Sequence, residues 1–91
     1  MPVPIEFTEA LDTELEEVIS ALLAFSAPVA RRFAEAFDRC IEQLQRFPET
    51  GTNEAEDRYT IPIGRSGYRI LYRFANGRIV VTGLKNMRRL N

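Results

Sequence analysis

Apolar positions recur along this chain in two rhythms. Over residues 11–25 they fall at three- and four-residue steps, with Leu11, Leu15, Val18 and Leu22 on one stripe and Ile19 beside it. That spacing predicts an amphipathic helix. Thr8 is its N-cap, and Glu9 and Asp12 sit in the first turn, where carboxylates meet the positive end of the helix dipole. Ser26-Ala27-Pro28 breaks this helix and starts a second, because proline is tolerated in a first turn. Phe33, Phe37, Ile41 and Leu44 form the second stripe, Cys40 and Phe47 lie near it, and Pro48 stops it. Two helices joined so tightly form an antiparallel hairpin.

From residue 58 the rhythm shortens to two. Residues 58–63, 68–74 and 78–85 alternate as strands do. Asn76-Gly77 predicts a type I′ hairpin turn, and Gly64-Arg65-Ser66-Gly67 a four-residue loop. Residues 3–7 are a short N-terminal strand, where Pro2 and Pro4 suit only a sheet edge. Residues 50–57, TGTNEAED, read as a polar acidic loop, and residues 86–91 as a short tail. The fold class is therefore α+β: an N-terminal strand, a helical hairpin, then a three-stranded antiparallel sheet packed on the helices. Residues 1–91 make one domain.

Turn lengths set the register. The Asn76-Gly77 turn pairs Ala75 with Arg78, Arg73 with Val80, Leu71 with Thr82 and Arg69 with Leu84. The other loop pairs Ile63 with Tyr68, Pro62 with Arg69 and Arg58 with Arg73. One face then carries Tyr59, Ile61, Ile63, Tyr68, Ile70, Tyr72, Phe74, Ile79 and Val81, ready to receive the helices. The opposite face carries Arg58, Arg69, Arg73 and Arg78 around Thr60, Leu71, Val80, Thr82 and Leu84. Like charges facing each other across strands repel. Arg58 beside Arg73 therefore predicts either solvation, with the arginine stems covering apolar neighbours, or an anionic partner.

Charge sharpens that picture. The net charge is only -1, but the carboxylates all lie within residues 1–57. Residues 58–91 carry Arg58, Arg65, Arg69, Arg73, Arg78, Lys85, Arg88 and Arg89 and no acid at all. A basic surface built by the C-terminal third follows. Glu49, Glu54, Glu56 and Asp57 form the dense acidic cluster; they are expected to be solvated or to pair with Arg58 and Arg65 rather than to hold a metal. The single cysteine, Cys40, excludes an internal disulfide and suits a reducing compartment. With no histidine to activate it, Cys40 is expected to pack. Neither a metal nor a cofactor is expected. No apolar run approaches membrane-spanning length and the N-terminus has no signal-peptide pattern, so the expected compartment is the cytoplasm.

The order of elements, together with FPETG at 47–51, GYRILYRF at 67–74 and IVVTGLKNMRR at 79–89, resembles the RelE/ParE superfamily of bacterial type II toxins over essentially the whole chain. The resemblance implies a small toxin neutralised by an antitoxin, whose acidic amphipathic C-terminal segment wraps it. Oligomers are then expected only through the antitoxin. RelE-like members cleave mRNA on the ribosome with lysines, arginines and a C-terminal tyrosine, or with His and Glu. Here histidine is missing, no tyrosine follows Tyr72, lysine occurs only at Lys85, and the loop at 50–57 is acidic. Arginine hardly deprotonates, so it makes a poor acid–base group. The likeness therefore leans to the ParE-like branch, whose members poison DNA gyrase, although those chains often have His where Lys85 stands. No catalytic residue is expected. The expected target- or antitoxin-binding residues are Arg58, Arg69, Leu71, Arg73, Arg78, Lys85, Arg88 and Arg89. A ribosome-dependent mRNA endonuclease using Arg58 and Arg69 as phosphate clamps, and a non-toxic protein-binding module of the same fold, are the alternatives.

Overall fold

The computed structural model describes residues 2–87. Strand β1 (Ile5–Phe7) leads into helix α1 (Glu9–Phe25) and helix α2 (Ala27–Arg46). Strands β2 (Thr52–Ala55), β3 (Arg58–Pro62), β4 (Tyr68–Ala75) and β5 (Arg78–Asn86) follow. Side-chain caps define the hairpin. Thr8 Oγ1 accepts the Leu11 N–H at 3.1 Å and opens α1. Ser26 serves both helices: its N–H donates to the Leu22 carbonyl at 2.7 Å, and its Oγ accepts the Val29 N–H at 3.4 Å. A single residue thus ends one helix and caps the next, which forces the two into an antiparallel pair.

The five strands form one sheet in the order β1-β5-β4-β3-β2. β1 pairs with β5 in parallel, Ile5 with Ile79 and Phe7 with Val81, and occupies an edge as its prolines require. The other pairs are antiparallel. β2 was expected to be loop. It has no apolar alternation because it lies at the other edge, largely exposed along its length. Its turn back into β3 carries no Gly signal; Glu56 takes a φ of 41° there, and the Asn53 amide donates to the Glu56 and Arg58 carbonyls, each at 3.0 Å.

The β3–β4 register is as the loop length predicts: Arg58 faces Arg73 and Pro62 faces Arg69. The β4–β5 register holds from Ala75–Arg78 to Tyr72–Val81 and then slips by one. Leu71 faces Gly83, not Thr82, and Arg69 faces Lys85, not Leu84. Thr82 is the extra residue of a β-bulge. Beyond it the alternation inverts. Leu84, expected on the exposed face, packs against the core, and Lys85 takes the outer position.

Helices cover one face of the sheet. Leu11, Phe33, Phe37, Cys40 and Leu44 meet Ile61, Ile63, Ile70, Tyr72, Ile79 and Val81 in one buried cluster. Each of the larger side chains contributes about 2 kcal/mol of burial. Cys40 packs as expected: its Sγ donates to the Pro62 carbonyl at 3.2 Å, and burial pushes the thiol above its usual range. Phe47, expected near the α2 stripe, is exposed. Tyr72 reaches beyond the core. Its hydroxyl donates to the Pro48 carbonyl at 2.9 Å and accepts the Gly51 N–H at 3.1 Å, and burial pushes the phenol up. Gly51 must be glycine there, since a Cβ would lie 2.5 Å from the Thr60 carbonyl oxygen and 2.6 Å from the Tyr72 hydroxyl.

Tyr72→Phe strands two half-buried backbone groups. It is expected to lower the free energy of unfolding by about 1–3 kcal/mol. Gly51→Ala is expected to cost at least as much, because its clash is with backbone. Urea denaturation of the three proteins checks both.

Candidate functional site

Outer-face side chains of β3, β4 and β5 line a shallow groove of about 450 Å³, into which Arg58, Thr60, Leu71, Arg73 and Thr82 project their surfaces with Glu54 of β2 at the rim. Ladder alternation brings Arg58, Arg69, Leu71, Arg73 and Arg78 to this one side, and the bulge at Thr82 adds Lys85. Arg88 and Arg89 lie outside the described residues.

These cations are not equivalent. Arg73 is paired with Asp57, its guanidinium nitrogen 3.0 and 3.3 Å from the two carboxylate oxygens. Arg78 is paired with Glu6 of β1. Among the described residues no other ion pair forms. The acidic cluster was expected to pair with Arg58 and Arg65; Asp57 instead pairs with Arg73, because the β2–β3 turn sets it beside the far end of β4, where its carbonyl also accepts the Phe74 N–H at 2.9 Å. Arg58 still helps to lower the Asp57 pKa, behind the Arg73 hydrogen bond. Arg69 is held by neutral groups. Its Nε donates to Thr60 Oγ1 at 3.0 Å, and Nη2 lies 3.5 Å from Thr52 Oγ1 and from the Thr60 carbonyl. The Thr60 hydroxyl in turn donates to Glu54 at 3.3 Å. This side chain is fixed in place with its charge unmatched, so it is preorganised for an anion.

A second concavity, of about 540 Å³, lies on the helical side, between α2 and the β3–β4 turn. Arg32, Arg39 and Arg65 surround an apolar floor that includes Leu22, Phe33 and Ile63. Chain-half charge totals hide this feature, because Arg32 and Arg39 belong to the acidic half. A helical reading finds it: Arg32, Ala36 and Arg39 stand four and seven residues apart, on one face of α2.

All three tyrosines are committed to the fold. Tyr59 stacks on Tyr72 with ring centroids 5.3 Å apart, and Tyr68 meets the edge of Phe33 at 5.6 Å. Among the described residues no cluster of acidic or sulfur ligands could hold a metal ion, and no helix is long and apolar enough to cross a membrane.

Residues 5–90 match the family model described as ParE toxin of type II toxin-antitoxin system, parDE. No curated protein matches the sequence. Three solved structures have a similar fold. The chromosomal ParDE system from P. aeruginosa contains a chain 13% identical, with a TM-score of 0.78 over 94% of this chain and 97% of that one. The intact E. coli RelBE toxin-antitoxin complex gives 17% identity and a TM-score of 0.69, covering 96% and 99%. The RelBE2 complex from Mycobacterium tuberculosis gives 20% and 0.61, covering 94% and 99%.

The Arg73 guanidinium holds the Asp57 carboxyl below its ordinary value of 3.8. A depressed carboxylate stabilises the folded state above its unfolded pKa and stops doing so as pH falls through its folded pKa. The pair is therefore intact at neutral pH and opens only in acid. Carbon-detected titration of the Asp57 carboxyl should show a midpoint below 3.8 in the parent chain and a return toward it in Arg73→Ala.

Proposed function

Because the chain belongs to the ParE toxin family of type II toxin-antitoxin systems, we propose that it is a toxin that inhibits DNA gyrase by binding, and that a cognate antitoxin neutralises it. One observation carries the choice of binding over bond cleavage. The outer groove is lined by the guanidinium groups of Arg58 and Arg73, arginine being a poor proton-transfer group, and of the two tyrosines that line it Tyr72 has its hydroxyl engaged by Pro48 and Gly51 while Tyr59 is stacked on Tyr72. Such a surface suits an anionic partner that is held, not cut. Arg58, Arg69, Leu71, Arg73, Arg78 and Lys85 would make the contacts; Arg88 and Arg89, which lie outside the described residues, are proposed to contribute as well. Arg69 is the residue of greatest weight, because among the described residues its charge has no carboxylate and Thr60 already orients it.

The antitoxin reading draws on both concavities. Each combines arginines with apolar surface, Leu71 in one and Leu22, Phe33 and Ile63 in the other. An acidic amphipathic segment satisfies that combination, its carboxylates meeting guanidinium groups and its apolar side chains the floor. The two lie on opposite sides of the β3–β4 hairpin, so an extended chain that folds on binding suits them better than a rigid globule.

A second reading, a ribosome-dependent mRNA endonuclease, has one observation in its favour. Glu54 lines the same groove as Arg58, and Lys85 stands opposite Arg69 on that face. A carboxylate and phosphate-holding cations are therefore close together.

Purified toxin with gyrase and supercoiled plasmid is expected to accumulate gyrase-cleaved DNA. Arg69→Ala should need about tenfold more protein for the same effect, the loss of one charge-assisted contact. If supercoiling is untouched at large molar excess while mRNA is cut at codon positions on ribosomes, the endonuclease reading replaces this one. If neither occurs, the chain is a binding module of the toxin fold.

A further inference from the structure

Strand β1 covers only the first part of β5, ending where Phe7 faces Val81. The β-bulge begins at the next residue, Thr82. Beyond β1 the outer edge of β5 would present bare backbone groups, yet three of them are taken by the start of α1. The Thr8 N–H donates to the Val81 carbonyl at 3.1 Å, and the Thr8 hydroxyl to the Thr82 carbonyl at 3.3 Å. One and a half turns along α1, Glu14 Oε1 accepts the Leu84 N–H at 2.8 Å. Gly83 makes room for that carboxylate, since a Cβ there would lie 2.9 Å from the same oxygen.

The bulge decides which side chain stands next to Arg69. In an unbulged ladder Leu84 would face outward and Lys85 would point under the helices. With Thr82 as the extra residue, Leu84 packs on the core and Lys85 takes the place opposite Arg69. Burial of Leu84 favours a bulge but does not say where in the strand it sits, because hydrophobic burial has no direction. A hydrogen bond to one amide has direction and selects one position.

We propose that Glu14 is a positioning residue for the cationic face: by holding the Leu84 N–H it fixes the bulge at Thr82 and so presents Lys85 beside Arg69. The proposal rests on the gyrase-binding reading only for the use to which Lys85 is put.

The test compares Glu14→Ala, Glu14→Gln, Gly83→Ala, Lys85→Ala and the double variant Glu14→Ala/Lys85→Ala with the parent chain. By NMR the parent should show slow exchange of the Leu84 amide and a cross-strand contact between the α protons of Ile70 and Leu84. Glu14→Ala and Gly83→Ala should speed that exchange and weaken the contact in favour of one between Ile70 and Gly83. Glu14→Gln keeps an acceptor oxygen and should restore both signals. In the gyrase cleavage assay Glu14→Ala and Lys85→Ala should each lose about fivefold in potency, the worth of one exposed cation contact. The double variant should be no worse than Lys85→Ala alone, because Glu14 acts through Lys85. An unchanged Ile70–Leu84 contact in Glu14→Ala, or losses that add in the double variant, would overturn the proposal. A parent chain inert toward gyrase overturns the gyrase reading alone, and the NMR comparison then still decides the clamp.

Discussion

Strand β4 is paired along both edges, so its alternation governs what the sheet shows to a partner. Ile70 and Tyr72 point under the helices and are almost fully buried, while Arg69, Leu71 and Arg73 point away. A slip of one residue would bring two arginines into the core and put an isoleucine and a tyrosine in water. The apolar loss alone is about 2 kcal/mol for each side chain, before the cost of burying charge. The cationic face is therefore a consequence of core packing. It needs no stabilising contact of its own, and Arg69 on it has no carboxylate partner among the described residues.

The same constraint explains which parts of the fold were legible in the sequence. The β3–β4 pairing follows from loop length and from apolar residues at every second position, and both survive into the structure intact. The β5 pairing follows equally well up to Val81. Past that point the bulge inverts it, and the only mark in the chain is Gly83, whose reason is a carboxylate arriving from α1, remote in sequence. β2 was invisible for a different reason: an edge strand exposed along most of its length has no apolar rhythm to read. Of the expected site residues, those on β3 and β4 share a face as anticipated. Lys85 joins them because of the bulge, and Leu84 leaves for the core.

Electrostatics in the folded chain differ from electrostatics along it. A run of residues without carboxylates suggests an uncompensated basic surface, yet Asp57 and Glu6 return from the acidic portion to meet Arg73 and Arg78. Exposed pairs of this kind contribute little to stability. Their effect is on recognition, since an incoming anion must displace a resident carboxylate at Arg73 and Arg78 but not at Arg69. The face is graded, since Arg73 and Arg78 are ion-paired while Arg69 is held by neutral groups. In the groove beside α2 the grading runs the other way: Arg32, Arg39 and Arg65 frame an apolar floor and none is ion-paired among the described residues.

The motifs that carry the family likeness have structural work that accounts for much of them. Pro48 and Gly51 of the FPETG stretch are the two groups bound by the Tyr72 hydroxyl, and Tyr72 belongs to GYRILYRF. The two motifs are the halves of one contact, which ties the end of α2 to the middle of the sheet and leads the chain into β2. Gly67 takes a φ of 88° and its carbonyl accepts the Met87 N–H at 2.7 Å, joining the start of β4 to the end of β5. Such residues report a fold shared by ParE and RelE chains alike and say little about chemistry. Arg58, Arg69, Glu54 and Lys85 lie outside the buried core, on or beside the exposed face. The arginines can hold an anion there. A guanidinium holds an anion well and is a poor proton-transfer group, and that asymmetry between holding and proton transfer is the physical ground on which partner binding is proposed for this chain.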